Sequence, residues 1–466
     1  MTFNARLLWT PYPYRAGFCI TDDPDGATMA REKAVYDFLL KHNFKTTKAV
    51  WTYNVVESSG IPPTPPVTGN GITLQDKEYL AYIKSLHSAG FEICLHGASG
   101  GNNTREMTKS AFEFVHTNIG KSDTFICHSK NADNLYWEKK VTLHPLLRLL
   151  TGLYSHHNCS GEQEASPYYW GDLCRKHINQ IRLYRTRRVN TLAACPSMPY
   201  FDPRKPLVNG WFSATKRRLA DCLTLKAIDD LKKENGLCVL YQYMHGYANP
   251  ETFELDKDFC KTIETAVLDK ELLIDTVSKH MKRLRSIQGL FMFSDQNAFW
   301  VGNASDDTVK NVQIQMPINA RDIVIDNHLV RSDGRLEISE IPPHCFKKID
   351  TRIRIKFSNR NYFPANRNCH IRIIRPFGTI YANLSDVPWC LSGNKLIKPQ
   401  QIEAQVEQSD SGIPRFSQLS SSEEVKMFIE QAWVILKEVL RTGRSLNANK
   451  YLGGKGISKM QDYSNW

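Results

Sequence analysis

The sequence predicts an α/β protein made of parallel βα units, and three observations carry that reading. Short apolar runs alternate with amphipathic helical stretches up to about residue 287. The runs at 17–21, 45–53, 91–95, 124–127 and 237–243 are β-prone and bounded by turn residues. Four of them end in chemistry-bearing side chains: Asp22 and Asp23, His96, His128, and His245. Parallel α/β architectures place function at the carboxyl ends of their strands.

The first run leads straight into Asp22-Asp23-Pro24-Asp25-Gly26. Neighbours on an extended strand face opposite sides, so Asp22 and Asp23 should divide their roles, one gripping a metal and one facing a water. The same residues also read as an ordinary turn. A helix from about Met29 sets Val35, Phe38 and Leu39 on one face, with Thr28 as its cap. After the strand at 45–53, Ile61-Pro62-Pro63-Thr64-Pro65-Pro66 cannot continue regular structure. A helix over 74–89 stops at Gly90, the next strand ends at His96, and a helix over 105–118 leads to the strand that ends at His128. Residues 139–218 read as a long mixed insertion, rich in loops and aromatics. The strand at 237–243 ends at Met244-His245, and helices over 257–268 and 275–284 follow.

From Gly289 the texture changes. Short strands at 290–293, 298–301, 309–316 and 323–325, separated by Asp-, Asn- and Gly-bearing turns, predict a small β-sandwich over 288–352. Residues 353–466 form a third, mixed region, basic and β-like at 353–374 and polar at 401–420. There Ser421-Ser422-Glu423-Glu424 reads as a capping box. The helix it opens carries Val425, Phe428, Ala432, Ile435, Leu436 and Val439 on one face, which should pack on the same protein. The tail after Arg444, with Gly453-Gly454-Lys455-Gly456, holds no fold signal.

The 466 residues are enough for two or three domains and a large core. The twelve cysteines never form a CxxC pair. Several, including Cys19, Cys94, Cys127 and Cys238, sit in apolar runs as reduced core thiols do. No secretion signal is seen, and no stretch reaches the roughly 18 apolar residues of a membrane span, so a cytoplasmic location is expected. The net charge of +12 favours anionic partners, although its clusters at 182–188, 216–218 and 279–285 also read as solvated helix faces. No nucleic-acid-binding module is present, which leaves an acidic glycan, a sugar-phosphate donor or peripheral contact with an anionic membrane surface as open readings.

The order of these motifs resembles the polysaccharide deacetylases, the carbohydrate esterases of NodB homology. The opening Ile20-Thr21-Asp22-Asp23 stands where that family has Thr-Phe-Asp-Asp. Gly90-Phe91-Glu92-Ile93-Cys94-Leu95-His96 resembles its second motif, but Gly100 occupies the place of that motif's second histidine. His128-Ser129-Lys130-Asn131 replaces an expected arginine, and the run ending at His245 resembles the last motif. The resemblance covers about residues 10–287 and implies a distorted (β/α) barrel of about seven strands. It implies Asp22 as general base, His245 as general acid, and Asp23 and His96 as ligands of one divalent metal, zinc being the expected ion. His128 is read as replacing the missing third ligand.

Such a site would remove an acetyl or similar acyl group from an amino sugar or polysaccharide. Metal-activated water, a carboxylate base and a histidine acid are what that hydrolysis needs. Trp170, Asp172, Tyr200, Asp202 and Trp211 in the insertion are candidate sugar contacts, since aromatic faces stack on sugar rings and carboxylates bond their hydroxyls. They read equally as core residues of an irregular lobe. Two rival functions follow from the same residues. Gly100 breaks the metal motif and so suggests a non-catalytic glycan-binding protein, and Asp22 or Asp23 with another carboxylate would suit a metal-free glycoside hydrolase.

Overall fold

The computed structural model describes residues 3–55, 71–128, 131–137, 159–294, 298–303, 305–316, 334–343, 345–350, 355–357, 379–382, 387–392, 395–397 and 421–442. The Pro-rich run at 61–66, the strand expected at 323–325, the stretches 358–374 and 401–420, and the tail after Arg444 lie outside the described residues.

Strand β1 (Phe3–Leu8) precedes the parallel strands β2 (Ala16–Asp22), β3 (Thr47–Val50), β4 (Glu92–Leu95), β5 (Thr124–Phe125), β6 (Gln180–Thr186), β7 (Trp211–Thr215), β8 (Leu237–Gln242) and β9 (Leu272–Ile274). Strands β2 to β8 pair in sequence order, and β2 pairs with both β8 and β3, so seven strands close a barrel. The ring is distorted at one seam. Strand β3 meets β2 only at Thr21 and Asp22, while β9 pairs with its first half through Ala16, Gly17 and Phe18. Strands β2, β3, β4 and β7 are buried along their whole length, as both-face burial in a barrel demands.

The stretch 139–218 is more than an insertion, because it supplies two staves of the barrel. Strand β6 hides its character from a hydropathy reading: Gln180-Ile181-Arg182-Leu183-Tyr184-Arg185-Thr186 carries two arginines, one of which points at a buried carboxylate.

The helices follow the amphipathic pattern. The helix Met29–Lys41 buries Val35, Tyr36 and Leu39; Thr28 is at its N-cap in extended backbone, but its side chain makes no capping bond. Asp76, Thr104, Thr224 and Asp256 do cap their helices through side-chain oxygens. Gly90 follows the helix Lys77–Ser88 with φ +92°, a conformation that costs glycine nothing.

Beyond the barrel, β10 (Leu290–Ser294), β11 (Ala298–Asn303) and β14 (Phe346–Asp350) make one antiparallel sheet. A second sheet runs β13 (Arg335–Ile341), β12 (Val309–Gln315), β1, β15 (Ile355–Phe357). The N-terminal strand therefore belongs to the β domain, and the boundary expected at residue 287 is crossed by the chain's own beginning. Arg283 ties the two parts by donating to Trp9 O (2.8 Å), Lys310 O (2.6 Å) and Asn311 O (2.8 Å). Further on, β16 (Thr379–Ala382), β17 (Val387–Ser392) and β18 (Lys395–Ile397) form an antiparallel sheet, and the helix Ser421–Thr442 lies against β6. Among the described residues the cysteines form no disulfide, and no helix is long and apolar enough to cross a membrane.

Candidate functional site

At the carboxyl ends of β2 and β4 and just past β5, one carboxylate and two imidazoles converge. They belong to Asp25, His96 and His128, with one ligand-capable atom from each lying within 4.8 Å of the others. Asp25 Oδ1 is 2.9 Å from His128 Nε2, and Asp25 Oδ2 is 3.4 Å from His96 Nε2. Trp51 packs against both rings, with centroids 5.8 Å from His96 and 5.6 Å from His128, and its indole N–H donates to His96 O at 3.0 Å.

The hydrogen bonds around His128 decide which of its atoms faces Asp25. Asn131 Nδ2 donates to Gly101 O at 2.6 Å, which turns Asn131 Oδ1 toward His128 Nδ1 at 2.8 Å. Nδ1 must then carry the proton, so Nε2 presents either a lone pair or a second proton to the Asp25 carboxylate. A lone pair facing a carboxylate is repulsive unless a cation lies between them. Burial lowers the His128 pKa, but the bond to Asp25 and its charge outweigh that and leave it raised; Asp25 in turn lies well below the usual carboxylate range despite its burial, through its bond to His128 and the nearness of His96.

The residues fit a divalent ion. Ligand bonds of about 2.0–2.2 Å in tetrahedral geometry put neighbouring ligand atoms about 3.4 Å apart. Asp25 Oδ2 is buried without a hydrogen-bond partner, as a vacant ligand position would be. Two imidazoles and a carboxylate suit zinc and other first-row ions. His96 Nδ1 also lacks a partner, so His96 is less firmly oriented than His128.

Of the three expected ligands, His96 and His128 are brought together, joined by Asp25, and Asp23 lies beside the cluster. Asp23 Oδ2 stays 3.7 Å from His96 Nε2, but Arg182 holds the carboxylate in a fork, at 3.2 Å to Oδ1 and 2.9 Å to Oδ2. Asp25 stands in the opening acidic run, inside a turn closed by Ala27 N donating to Pro24 O at 3.0 Å, with Gly26 at φ +76°. Arg182 went unrecognised because it sits inside a basic run.

Asp22, expected as the base, faces away into a closed network. It accepts from Lys48 Nζ at 2.8 Å, Tyr36 Oη at 2.7 Å and Met244 N at 2.7 Å, and Lys48 also reaches Glu32 Oε1 at 2.8 Å. Asp22, Lys48 and Glu32 are all buried. Burial raises Asp22 and Glu32, the latter to about 7, while the two carboxylates hold Lys48 charged. Asp22 is thus bonded on both oxygens and enclosed on the side away from the Asp25, His96 and His128 cluster.

His245 is the second residue of the short 3-10 turn Met244–Tyr247 after β8. Its Nε2 lies 3.6 Å from where a β-carbon on Gly26 would stand, one residue past Asp25. Burial, then Arg31 and Lys48, lower its pKa to about 3 against the opposing pull of Asp25, so it is neutral at rest. Its Nδ1 has no hydrogen-bond partner.

The five expected sugar contacts are otherwise engaged. Trp170, Tyr200 and Trp211 are completely buried, so no ring face is open to a sugar. Trp170 packs 4.6 Å from the Phe125 ring and donates to Asp133 O, and Tyr200 and Trp211 bond each other's backbone. Asp172 accepts twice from Arg105, both at 2.7 Å, and Asp202 pairs with Arg204 and Lys205. Of the five, Trp211 lies on β7, whereas Asp172 is exposed on the helix Gly171–His177.

No protein-family model and no curated protein matches the chain. Among solved structures it is similar to a family 4 acetyl xylan esterase from Clostridium thermocellum, at 13% identity and TM-score 0.28, over 57% of this chain and 91% of that one. The Bc1960 peptidoglycan N-acetylglucosamine deacetylase gives 12%, 0.25, 58% and 90%. The carbohydrate deacetylase Agd3 gives 9%, 0.37, 73% and 65%, so about two thirds of that protein is spanned. Identities and TM-scores this low tie neither activity nor substrate to this chain.

Proposed function

We propose that this chain is a metal-dependent hydrolase that removes an acetyl or similar acyl group from an amino sugar or polysaccharide. The observation that carries the reading is the convergence of Asp25, His96 and His128 on one point at the barrel mouth, with His128 oriented by Asn131. Those three residues would hold the ion. A divalent ion there supplies Lewis acidity and lowers the pKa of water toward about 7. Asp23 is the general base, since it borders the cluster and is kept in one orientation by Arg182. His245, neutral at rest, takes up a proton as negative charge develops beside it and passes it to the leaving group.

The test is metal analysis of the purified protein, combined with acetate release from N-acetylated oligosaccharides before and after chelation. About one divalent ion per chain, and release that stops on chelation and returns with metal, are expected. A second reading, a glycan binder without catalysis, is favoured by Gly100 at the expected histidine position and by the unsupported Nδ1 of His96. A metal-free protein that binds glycan but releases no acetate would select it. Hydrolysis of glycosidic bonds that survives chelation would select a glycoside hydrolase instead.

A further inference from the structure

The mechanism leaves one group of buried charges unused. Asp22, Lys48 and Glu32 are each at most 1% exposed, and Lys48 Nζ donates to Asp22 Oδ2 and to Glu32 Oε1, both at 2.8 Å. A well-packed apolar cluster of the same volume is often as stable as a buried ion network, so stability does not ask for this composition. An apolar cluster, however, offers no acceptor to a backbone N–H. Asp22 does: the Lys48 and Tyr36 bonds fall on Oδ2, while Oδ1 accepts from Met244 N at 2.7 Å. Met244 is the residue before His245.

The other side of His245 is tied to the same part of the chain. Arg31, next to Glu32 on the helix Met29–Lys41, donates through Nε to Ala248 O at 3.1 Å, and Ala248 N donates to His245 O at 3.2 Å. At the end of β8, Asp23 N donates to Gln242 O at 3.0 Å. The turn Met244–Tyr247 is thus fastened through Gln242, Met244 and Ala248 to the segment 22–31, and Asp25 stands in that same segment. The His245 ring needs such a frame, because its Nδ1 has no hydrogen-bond partner to orient it.

We infer that Asp22 and Arg31 are positioning residues for His245, holding the turn that carries it at a set place relative to Asp25 and the two histidines. Calling His245 the acid rests on the hydrolase reading; the holding of the turn does not. A general acid matters only where the leaving group must be protonated, and a displacement of about 1 Å is enough to cost about 10²-fold. An amine leaving an N-acetylated sugar needs that proton, whereas 4-nitrophenolate leaves an acetate ester as the anion.

Two side chains of matched length separate the bond from the charge at position 31. Arg31→Met removes the donor, and Arg31→Gln keeps an N–H at the Nε position without the charge. In the presence of zinc, Arg31→Met should lower acetate release from an N-acetylglucosamine tetramer by about tenfold or more, while hydrolysis of 4-nitrophenyl acetate stays within about twofold. Arg31→Gln should keep most of the native ratio between the two. Amide hydrogen exchange resolved to single residues is the second readout. Met244 in the native protein should exchange as slowly as the barrel strands, and in Arg31→Met exchange over 244–248 should quicken while β2 and β8 hold. Asp22→Ala would strip Lys48 of a partner and risk the fold, so the Asp22 bond is read from the native Met244 amide. A parallel fall on both substrates, an unchanged ratio in Arg31→Met, a Met244 amide that exchanges like an exposed turn, or unaltered exchange over 244–248 in Arg31→Met would each overturn the inference. A native protein that releases no acetate would count against the hydrolase reading instead, and the exchange measurements alone would then decide this inference.

Discussion

The three carboxylates of the opening run lie within four positions of one another and have three different surroundings: Lys48, Arg182, and the two histidines. Asp25→Asn is expected to abolish tight metal binding. Asp23→Asn should keep the metal and lower turnover by at least about 10²-fold, as loss of a general base does. Asp22→Asn should act on stability instead, because it unbalances a buried Lys48 that no water can reach; breaking such a pair costs about 3–5 kcal/mol. Metal titration, acetate assay and urea unfolding of the three variants separate these outcomes, and similar behaviour of all three would refute the division. Asn131 belongs to the same set by its action on His128. Asn131→Ala should weaken zinc binding by about 10–100-fold in competition with a chromophoric chelator, while Asn131→Asp, which keeps the acceptor, should retain most of it.

At the scale of elements, the helix Ser421–Thr442 is the clearest case of a surface segment tied down by buried charge. Glu423 is 4% exposed and accepts from the buried Ser197 at 2.9 Å; Glu424 accepts from Arg204, and Glu430 from Arg188 and Thr186. Both glutamates of the expected capping box make tertiary contacts. Met427 and Phe428 are buried beneath the helix, whereas the side chains of Ile435, Leu436 and Val439 lie outside the described residues. Glu423→Ala would remove the hydrogen bond to Ser197 and should destabilise the protein by about 1 kcal/mol in urea unfolding. No measurable change would show that the helix contributes little to the folded barrel.

At the scale of the molecule, the chain's first strand closes a sheet formed by its later half, so barrel and β domain cannot fold as independent beads. Removing residues 1–8 should uncover the edges of β12 and β15 and lower the thermal midpoint, with aggregation on heating. The barrel floor also sets a pH dependence. His280 is buried against Trp9, donates to Phe18 O at 3.2 Å, and is held mainly by burial at a pKa of about 4, below the ordinary 6.5. The unfolded chain binds this proton first as pH falls, so the contribution is whole above about pH 6.5 and is lost between about 6.5 and about 4, amounting to roughly 3 kcal/mol at most. His280→Gln should flatten the fall in unfolding free energy between about pH 7 and about pH 4.5 relative to the native protein. Parallel slopes would show that other groups govern the acid limb.

The alternation of apolar runs and amphipathic helices, and the polar residues ending four strands, were legible in the sequence because strand period, helix period and turn residues are local properties. They were sufficient for the α/β class, for His96 and His128 as companions, and for the α-to-β change near Gly289. Other features depended on positions far apart along the chain. Only the folded barrel brings Arg182 across 159 residues onto Asp23 and sets Asp25 beside His96 and His128. Only the strand pairing makes β6 a barrel stave despite its arginines, and only the β-domain sheet claims the first strand. Which of several neighbouring carboxylates is free, bonded or buried is set by partners that arrive through tertiary packing, and one chain of residue types does not record their arrival.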